Sequence, residues 1–158
     1  MAECQYVTLC LGAEVFAVPV AMVREILDYR AAFRIPEGPE YLLGLIDVRG
    51  RGVPVVDLRQ KLGLTPVVPG PTTRIMVIDV PLEDRVLALG LIADKVLEVA
   101  SFDDDDLDSA PDVGVPWRSD YIAGVVRRNG SFVVIFNLPK LLTAREAALL
   151  SSASAQAA

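Results

Sequence analysis

The sequence predicts a mainly β protein made of two related halves, each a small β-barrel. Three observations support this prediction. Hydrophobic residues fill 53% of the 158 positions and charged residues 23%, which is typical of a folded globular chain. The apolar residues fall in short runs bounded by Gly, Pro, Asn and Asp, as strands and tight turns require. The pattern of the first half also returns roughly 80 positions later, which indicates an internal repeat.

The first strands follow from alternation of apolar and other residues. Residues 6–11 and 15–18 each alternate in this way, and Gly12-Ala13 lies between them, so they predict an antiparallel pair. Pro19 begins a short helical turn that reaches Met22. A further strand is predicted over residues 23–29. The first half therefore opens with strand, strand, helical turn and strand.

A hairpin is expected next. Residues 42–49 and 53–58 are apolar runs on either side of Gly50-Arg51-Gly52, which predicts two strands joined by a turn. Pro54 has no backbone donor, so its strand is predicted to lie at a sheet edge or to be bulged there. Asp57 follows this strand where a helix N-cap is needed, which predicts a short helix after it.

The second half begins after a proline-rich connector at residues 65–71. Strands are predicted over 74–80 and 85–92, and residues 101–116 read as a long acidic loop that contains four consecutive aspartates, Asp103 to Asp106. This run lacks the glycine and spaced ligands of an EF-hand, so a solvated loop is favoured over a calcium site.

A second hairpin and a helix end the chain. Residues 122–127 and 131–136 flank Asn129-Gly130, the strongest short-range turn signal in the sequence. Residues 138–150 have apolar positions at helical spacing, which predicts a C-terminal helix. Residues 151–158 are mainly alanine and serine and are predicted to be a frayed tail.

The two halves match at scaffold positions. Residues 16–26 align with residues 89–99, and the two hairpins align without a gap. The matched pairs are Tyr41 with Tyr121, Gly44 with Gly124, Gly50 with Gly130, Val53 with Val133, Asp57 with Asn137, Leu58 with Leu138, and Leu62 with Leu142. Agreement at turn glycines and at the Asx-Leu pair exceeds what alternation alone requires. The sequence thus predicts a duplicated unit.

Composition excludes several classes of function. The formal charge of −6 argues against a nucleic-acid partner, which needs a basic surface, and against nonspecific binding to membranes. Histidine is absent, so the commonest general base and metal ligand are missing. Cys4 and Cys10 are six positions apart on one predicted strand, roughly 20 Å, too far for a disulfide. Two free thiols fit a reducing compartment.

No constellation in the sequence reads as an active site. Asp47 and Asp57 flank the first hairpin and are the best candidates for an acid–base pair. Asp57 has the capping explanation, however, and Asp47 aligns with Arg127, so the repeat does not preserve a dyad. A small Asp-dependent hydrolase or a ligand-binding β-barrel therefore remains only as the alternative from a different class. No catalytic, cofactor or metal residue is assigned.

With no active site assigned, the remaining candidates for function are binding surfaces. Arg49 and Arg51 flank a glycine at the end of an apolar hairpin, where arginine can anchor a carboxylate or backbone carbonyls. Apolar stripes recur in both halves, and they consist of Val20, Val23 and Ile26 in the first and Ala93, Val96 and Val99 in the second. Two such stripes on adjoining barrels could line one groove that accepts the apolar face of a partner helix.

At these residues the sequence resembles the chemotaxis coupling protein (CheW) family. The resemblance is carried by Phe16-Ala17-Val18-Pro19-Val20-x-x-Val23-x-Glu25-Ile26, by Arg34-Ile35-Pro36, by the block from Leu43 to Arg59, by Gly90-Leu91-Ile92-Ala93-Asp94-x-Val96 and by Tyr121-Ile122-x-Gly124. The most specific part is Val-Arg-Gly-x-x-Val-Pro-Val-Val-Asp-Leu-Arg, at residues 48–59. Coverage extends over residues 5–150, nearly the whole chain.

The resemblance implies two five-stranded barrels of SH3-like topology around a shared hydrophobic core, with short helices and a C-terminal helix. It implies a single domain at 5–150, with intertwined halves at approximately 14–64 and 74–142. It implies a non-catalytic, cytoplasmic adaptor, without cofactors, that couples the regulatory domain of a CheA-type histidine kinase to the cytoplasmic hairpin tips of chemoreceptors at membrane arrays. Carried over by position, the receptor-groove residues are Val20, Val23, Glu25, Arg49, Val96 and Val99. An adaptor of a chemosensory-like pathway with another output is equally compatible with these residues.

The acidic loop departs from the family pattern. Many family members carry a basic residue near Asp108, in a region where a second contact between barrels forms. The reversed charge leaves open whether closed rings of kinase and coupler form. The residues expected to contribute to this secondary contact are Arg51, Asp108, Asp112 and Val113.

Overall fold

The computed structural model describes residues 3–34, 39–65, 67–82, 85–103, 107–108, 122–128 and 130–141. The strands are β1 (Glu3–Leu11), β2 (Glu14–Pro19), β3 (Val23–Asp28), β4 (Leu42–Val48), β5 (Arg51–Asp57), β6 (Arg74–Pro81), β7 (Val86–Ala93), β8 (Lys95–Asp103), β9 (Leu107–Asp108), β10 (Ile122–Arg128) and β11 (Ser131–Phe136). Two short helices are α1 (Leu58–Lys61) and α2 (Leu138–Leu141), and a 3₁₀ turn spans Val20–Met22. No helix in these ranges is long and apolar enough to cross a membrane.

The strands form two sheets. The first has five strands in the order β3-β6-β7-β5-β4, and the second has the order β8-β1-β2-β11-β10-β9. We call them the first and second barrel. The prediction of a mainly β fold with two five-stranded barrels is confirmed, and the short strand β9 is a sixth member of the second barrel.

Each barrel takes strands from both halves of the sequence. Strands β1 and β2 from the first half join the second barrel, and β6 and β7 from the second half join the first barrel. The intervals 14–64 and 74–142 therefore do not each correspond to one sheet. The halves are intertwined through the exchange of an N-terminal hairpin, which no local sequence signal specifies.

The repeat extends to the register of the strands. In the first barrel Val55 pairs in parallel with Gly90, and in the second Ile135 pairs in parallel with Ala17. Both of these pairs join residues that the sequence repeat aligns. The register also shifts at equivalent places, between Leu42 and Gly44 in β4 and between Ile122 and Gly124 in β10. The predicted duplication is thus confirmed down to the position of the β-bulges.

Burial explains the long apolar runs. Residues 75–78 are all 0% exposed, because β6 is covered on both faces. Ile75 and Val77 pack inside the first barrel, whereas Met76 and Ile78 belong to a larger cluster shared by both barrels. A third cluster, which includes Phe102 and Ile135, fills the second barrel. The predicted shared core is therefore present and is the largest of the three.

The segment after β3 closes the first barrel. Phe33 and Leu45 exchange two backbone hydrogen bonds, of 2.7 and 2.8 Å, so the chain beyond β3 pairs with β4 at the opposite end of the sheet. Gly44 lies beside this contact with φ of +142°, and a Cβ there would lie 2.1 Å from the carbonyl oxygen of Phe33. Only glycine fits this close approach of two backbones.

Several sequence-based expectations need correction. The first hairpin turns at Arg49-Gly50, both with positive φ, and Arg51 already belongs to β5. Pro54 lies in an interior strand rather than at an edge, and the register shift is in β4; the parallel pairing with β7 begins only at Val55, which leaves the proline outside that ladder.

The second half differs from expectation in one region. Strand β8 continues through residues 101–103, which the sequence predicts in the acidic loop, because its pairing with β1 extends from Cys10 as far as Glu3. Most of the remaining acidic loop, most of the predicted C-terminal helix and the tail at 151–158 lie outside the described residues. Both cysteines are free, and they lie on the single strand β1, as predicted.

Candidate functional site

The chain crosses between the barrels at two places, and each crossing leads into a terminal strand of a sheet. The 3₁₀ turn at Val20–Met22 joins β2 to β3, and Asp94 alone joins β7 to β8. β3 ends the first sheet, and β8 ends the second. Because the repeat aligns these strands, the fold presents two equivalent strand edges.

Register defines which way the apolar side chains on these strands face. Val23 lies opposite Ile78, Ile26 opposite Met76, Val96 opposite Leu9 and Val99 opposite Val7. All four partners belong to the shared core. Directly opposed residues lie on the same face of a sheet. Val23, Ile26, Val96 and Val99 therefore face the side of the shared core, and together with Val20 we call them the apolar strip.

The apolar strip changes from half-buried to exposed along its length. Val20, Val23 and Val96 are partly buried and pack against the shared core. Ile26 and Val99, which are equivalent in the repeat, are 42% and 58% exposed. Exposed branched side chains at the rim of a core are the kind of surface that a partner covers. The four predicted valines and Ile26 of the predicted stripe therefore lie on the face of the shared core, on two strands that are equivalent in the repeat.

Glu25 and Arg49 form a pair on the other side of β3. Glu25 lies opposite Val77, which is inside the first barrel, so it faces away from the apolar strip. Arg49 Nη2 is 3.6 Å from Glu25 Oε1, and the Arg49 side chain is 82% exposed while that of Glu25 is 20% exposed. The strip and this ion pair therefore flank the same terminal strand from its two faces.

The hairpin turn holds Arg49 in position. Arg49 has φ of 54° and Gly50 has φ of 85°, the two positive values of a type I′ turn. Asp47 Oδ1 accepts a hydrogen bond of 2.8 Å from Gly50 N, and Arg30 Nη2 donates to the Asp47 carbonyl at 2.6 Å. A non-glycine residue with positive φ is uncommon, and such strain concentrates at functional positions.

The secondary contact residues are not gathered at one place by the described part of the chain. Arg51 is exposed and begins β5 in the first barrel. Asp108 is in β9 of the second barrel, where it pairs with Val125. Asp112 and Val113 lie outside the described residues.

The geometry does not support Asp47 and Asp57 as an acid–base pair. Asp47 lies opposite Gly52, and Asp57 is five residues farther along β5. At about 3.3 Å per residue the two residues are about 17 Å apart. Asp57 is instead the N-cap of α1, since Oδ1 accepts a hydrogen bond of 3.0 Å from Arg59 N. This confirms the predicted cap and leaves the hydrolase alternative without its dyad.

A polar junction that the sequence reasoning did not single out lies at the second crossing. Asp94 accepts hydrogen bonds from the Arg59 side chain and, at 2.7 Å, from Gly12 N. The hydrogen bond from Arg59 is the largest reason why the pKa of Asp94 is lowered, and it raises the pKa of Arg59. Both residues stood in motifs that resemble the coupling family, and that was the only sequence signal for them.

Comparison with known proteins gives a consistent result. The family profile described as CheW-like domain matches residues 5–146. The chain is 29% identical over 136 residues to the chemotaxis protein CheW of Rhizobium meliloti, covering 86% of this chain and 85% of the relative. It is 30% identical over 135 residues to Protein FrzA of Myxococcus xanthus, covering 84% and 81%.

The fold is also similar to a solved structure. The crystal structure of the scaffolding protein TtCheW from Thermoanaerobacter tengcongensis matches with a TM-score of 0.81 and 25% sequence identity. The match covers 92% of each chain, so it includes both barrels.

Proposed function

The chain belongs to the CheW-like domain family of chemotaxis coupling proteins, and we propose that it links a CheA-type histidine kinase to the cytoplasmic hairpin tips of chemoreceptors without catalysing a reaction. We further propose that residues 5–150 act as one domain. The core shared by the two barrels supports this, since neither barrel is covered without the other. This adaptor would act inside the cell, at membrane receptor arrays to which its partners recruit it.

The apolar strip is the observation that carries the receptor part of the proposal. It combines half-buried valines at the rim of the core with exposed Ile26 and Val99 on two equivalent strands. A receptor tip is a helical hairpin, and an amphipathic helix binds by laying its apolar face into such a groove. Val20, Val23, Val96 and Val99 would contact that face.

Arg49 and Glu25 supply the polar edge of the same site. Their separation of 3.6 Å and the 82% exposure of Arg49 describe a weak, solvated ion pair. The guanidinium is free to turn toward a carboxylate or carbonyl of an approaching helix, and Arg can bind a carboxylate with two parallel hydrogen bonds.

The kinase would bind through a different surface, barrel against barrel. Its regulatory domain is expected to carry a barrel of the same type, and the duplicated fold offers two hairpins with different ends. Arg51 begins β5 beside one of them, and Asp108 in β9 borders the other hairpin. We propose these two residues, with Asp112 and Val113, as secondary contacts.

Reversal of the charge at Arg49 tests the receptor site. We expect Arg49→Glu to weaken binding of a purified receptor hairpin-tip fragment roughly thirtyfold, about 2 kcal/mol, as for an anchor that loses its counter-charge. Titration calorimetry measures the affinity, and chemical denaturation checks that the free energy of unfolding is kept. Equal affinity of the variant and the wild type would remove Arg49 from the site.

Arg127→Glu is the matched control. Arg127 is exposed on the second hairpin. Its replacement by Glu removes the same side chain and makes the same change of charge as Arg49→Glu. We expect its receptor affinity to equal that of the wild type. A loss at both positions would indicate a nonspecific effect of net charge.

A pull-down from the native cell extract tests the adaptor role as a whole. Mass spectrometry should find both a histidine kinase and a receptor with the wild-type protein, and the kinase alone with Arg49→Glu. Recovery of neither class would contradict the proposed function. The identity of the kinase and receptor would separate a motility pathway from a chemosensory-like pathway with another output.

A further inference from the structure

The two crossings between the barrels are equivalent in the repeat but differ in chemistry. When residues 16–26 are aligned with residues 89–99, Ala21 of the 3₁₀ turn falls on Asp94. The first crossing has three residues with no charge among them, and the second is a single aspartate. Each crossing leads directly into one of the two strands, β3 and β8, that carry the apolar strip. The direction in which the chain leaves a crossing therefore sets the position of that strand.

Asp94 is tied to the second barrel by two hydrogen bonds. Its backbone N donates to the Cys10 carbonyl at 3.1 Å, and Oδ2 accepts from Gly12 N at 2.7 Å. Cys10 and Gly12 belong to β1 and to the turn after it. These bonds fix the start of β8, only two residues before Val96 of the apolar strip.

The same carboxylate is bound by the first barrel. Arg59 follows β5 in the capped helix α1; its Nε donates to Asp94 Oδ1 at 3.1 Å, and its Nη2 contacts Oδ2, so the pair is bidentate. Arg59 Nη1 also donates to the Thr65 carbonyl at 3.0 Å. Arg59 is 14% exposed and Asp94 25%, which makes this pair more buried than the ion pairs of Arg24, Arg49 and Arg74. Bidentate pairs of this kind hold geometry as well as charge.

We propose that the Arg59–Asp94 pair is a positioning latch that sets the orientation of β8 relative to the first barrel. It thereby sets the spacing between β3 and β8, the two strands that carry the apolar strip. The inference rests on the proposed function for its effect on receptor binding. Its effect on the orientation of the barrels is independent of any partner.

The repeat indicates that the latch serves more than folding. At the equivalent positions the other half has Ala21 in place of Asp94 and Pro139 in place of Arg59, so it cannot form this ion pair. The strands of that half nevertheless pair in the same register and join the same shared core. An uncharged crossing is thus compatible with the fold. The charged crossing at Asp94 adds directional hydrogen bonds, and it does so only at β8.

The experiment uses the whole chain and two variants. Asp94→Ala gives the second crossing the side chain found at the first. Arg59→Lys keeps the charge but loses the bidentate geometry. Residual dipolar couplings of backbone amides in β6 and β11 report the orientation of the two barrels. Calorimetry with the receptor hairpin-tip fragment reports the affinity.

For both variants we expect a changed orientation between the barrels and an affinity reduced roughly fivefold or more, with the couplings within each barrel unchanged. Should Asp94→Ala fail to fold, Arg59→Lys carries the test alone. Unchanged orientation in a folded variant would overturn the latch. Changed orientation with unchanged affinity would overturn its role in binding.

Asp28→Ala is the matched control. Asp28 also pairs with an arginine, Arg74, at 3.5 Å, but it is 93% exposed and the pair lies within the first barrel. In the Asp28→Ala variant the orientation of the barrels and the affinity for the receptor fragment should equal those of the wild type. If the wild type does not bind the receptor fragment, the proposed function fails, whereas the couplings still decide whether the latch exists.

Discussion

Aspartates of this protein have different roles because they stand at different places in the backbone. Asp57 ends β5 and caps α1, and Asp47 accepts the hydrogen bond that holds the turn at Gly50. Asp94 is the residue whose carboxylate joins two barrels. The sequence identifies the first role directly, since a cap needs only local neighbours. It does not identify the third, because Gly12 and Arg59 are distant in sequence.

The lowered pKa of Asp94 predicts a dependence of stability on pH. Because the folded pKa lies below the ordinary value of 3.8, the charged form stabilises the fold above that value, and the contribution is lost as the pH falls through the folded pKa. Asp94→Asn removes the charge at every pH. We expect the wild type to exceed this variant in free energy of unfolding at neutral pH and the difference to shrink in acid.

Urea denaturation between neutral pH and acid measures that difference. A gap that stays constant as the pH falls would contradict an ionised Asp94 as its source. Asp28→Asn is the matched substitution, in which an exposed aspartate is lost instead of one at the junction.

At the scale of elements, the strands are determined mainly by alternation and by their turns. The hairpins at Arg49-Gly50 and Gly130 follow from glycines that supply positive φ. The closure of the first barrel depends on something else. It needs β4 to pass so close to Phe33 that position 44 has no room for a Cβ atom. The sequence marked Gly44 only as a repeated glycine.

Gly44→Ala is therefore expected to destabilise the fold severely. The new Cβ would lie 2.1 Å from a backbone oxygen, and neither backbone can move without breaking the hydrogen bonds between Phe33 and Leu45. We expect a loss of about 3 kcal/mol or more in the free energy of unfolding. Thermal or urea denaturation measures it.

Gly63→Ala separates strain from crowding. Gly63 also has positive φ, of 79°, but nothing lies within 4 Å of the added Cβ. Its cost should be about 1 to 2 kcal/mol, from the left-handed backbone alone. Equal losses at both glycines would mean that the close approach to Phe33 is not what requires Gly44.

The whole molecule is held together by exchange. The hairpin β1–β2 completes the second barrel and the hairpin β6–β7 completes the first. The faces of these hairpins that point toward the other barrel contribute to the shared core. Neither barrel can lose its exchanged hairpin without opening that core. The two barrels are therefore expected to unfold in a single cooperative transition.

Leu89→Ala tests this cooperativity. Leu89 is 0% exposed in β7 and belongs to the shared core, so its truncation should cost about 2 to 5 kcal/mol. Amide hydrogen exchange should accelerate equally at Val77 in the first barrel and Ile135 in the second. Acceleration in one barrel alone would contradict the coupled transition.

Val86→Ala provides the control on the same strand. Val86 is 62% exposed, so its truncation should change the free energy of unfolding by no more than about 0.5 kcal/mol.

Sequence by itself determined the local structure of this protein and its family. Alternation predicted most of the strands, glycines and Asx residues predicted the turns and the cap, and the repeat predicted two matching barrels. These features depend on neighbours a few positions away, which a linear pattern records. The residues of the apolar strip were also predictable, because apolar residues occur at matching places in the repeat.

Only the tertiary structure decided how these parts are joined. It determined that the N-terminal hairpins are exchanged, that Glu25 faces away from the valines next to it, and that Asp94 connects Gly12 to Arg59. A bulge between Val23 and Glu25 changes which face each residue occupies. The physical reason is the same in each case: strand exchange, bulges and ion pairs between distant residues depend on contacts that no local pattern encodes.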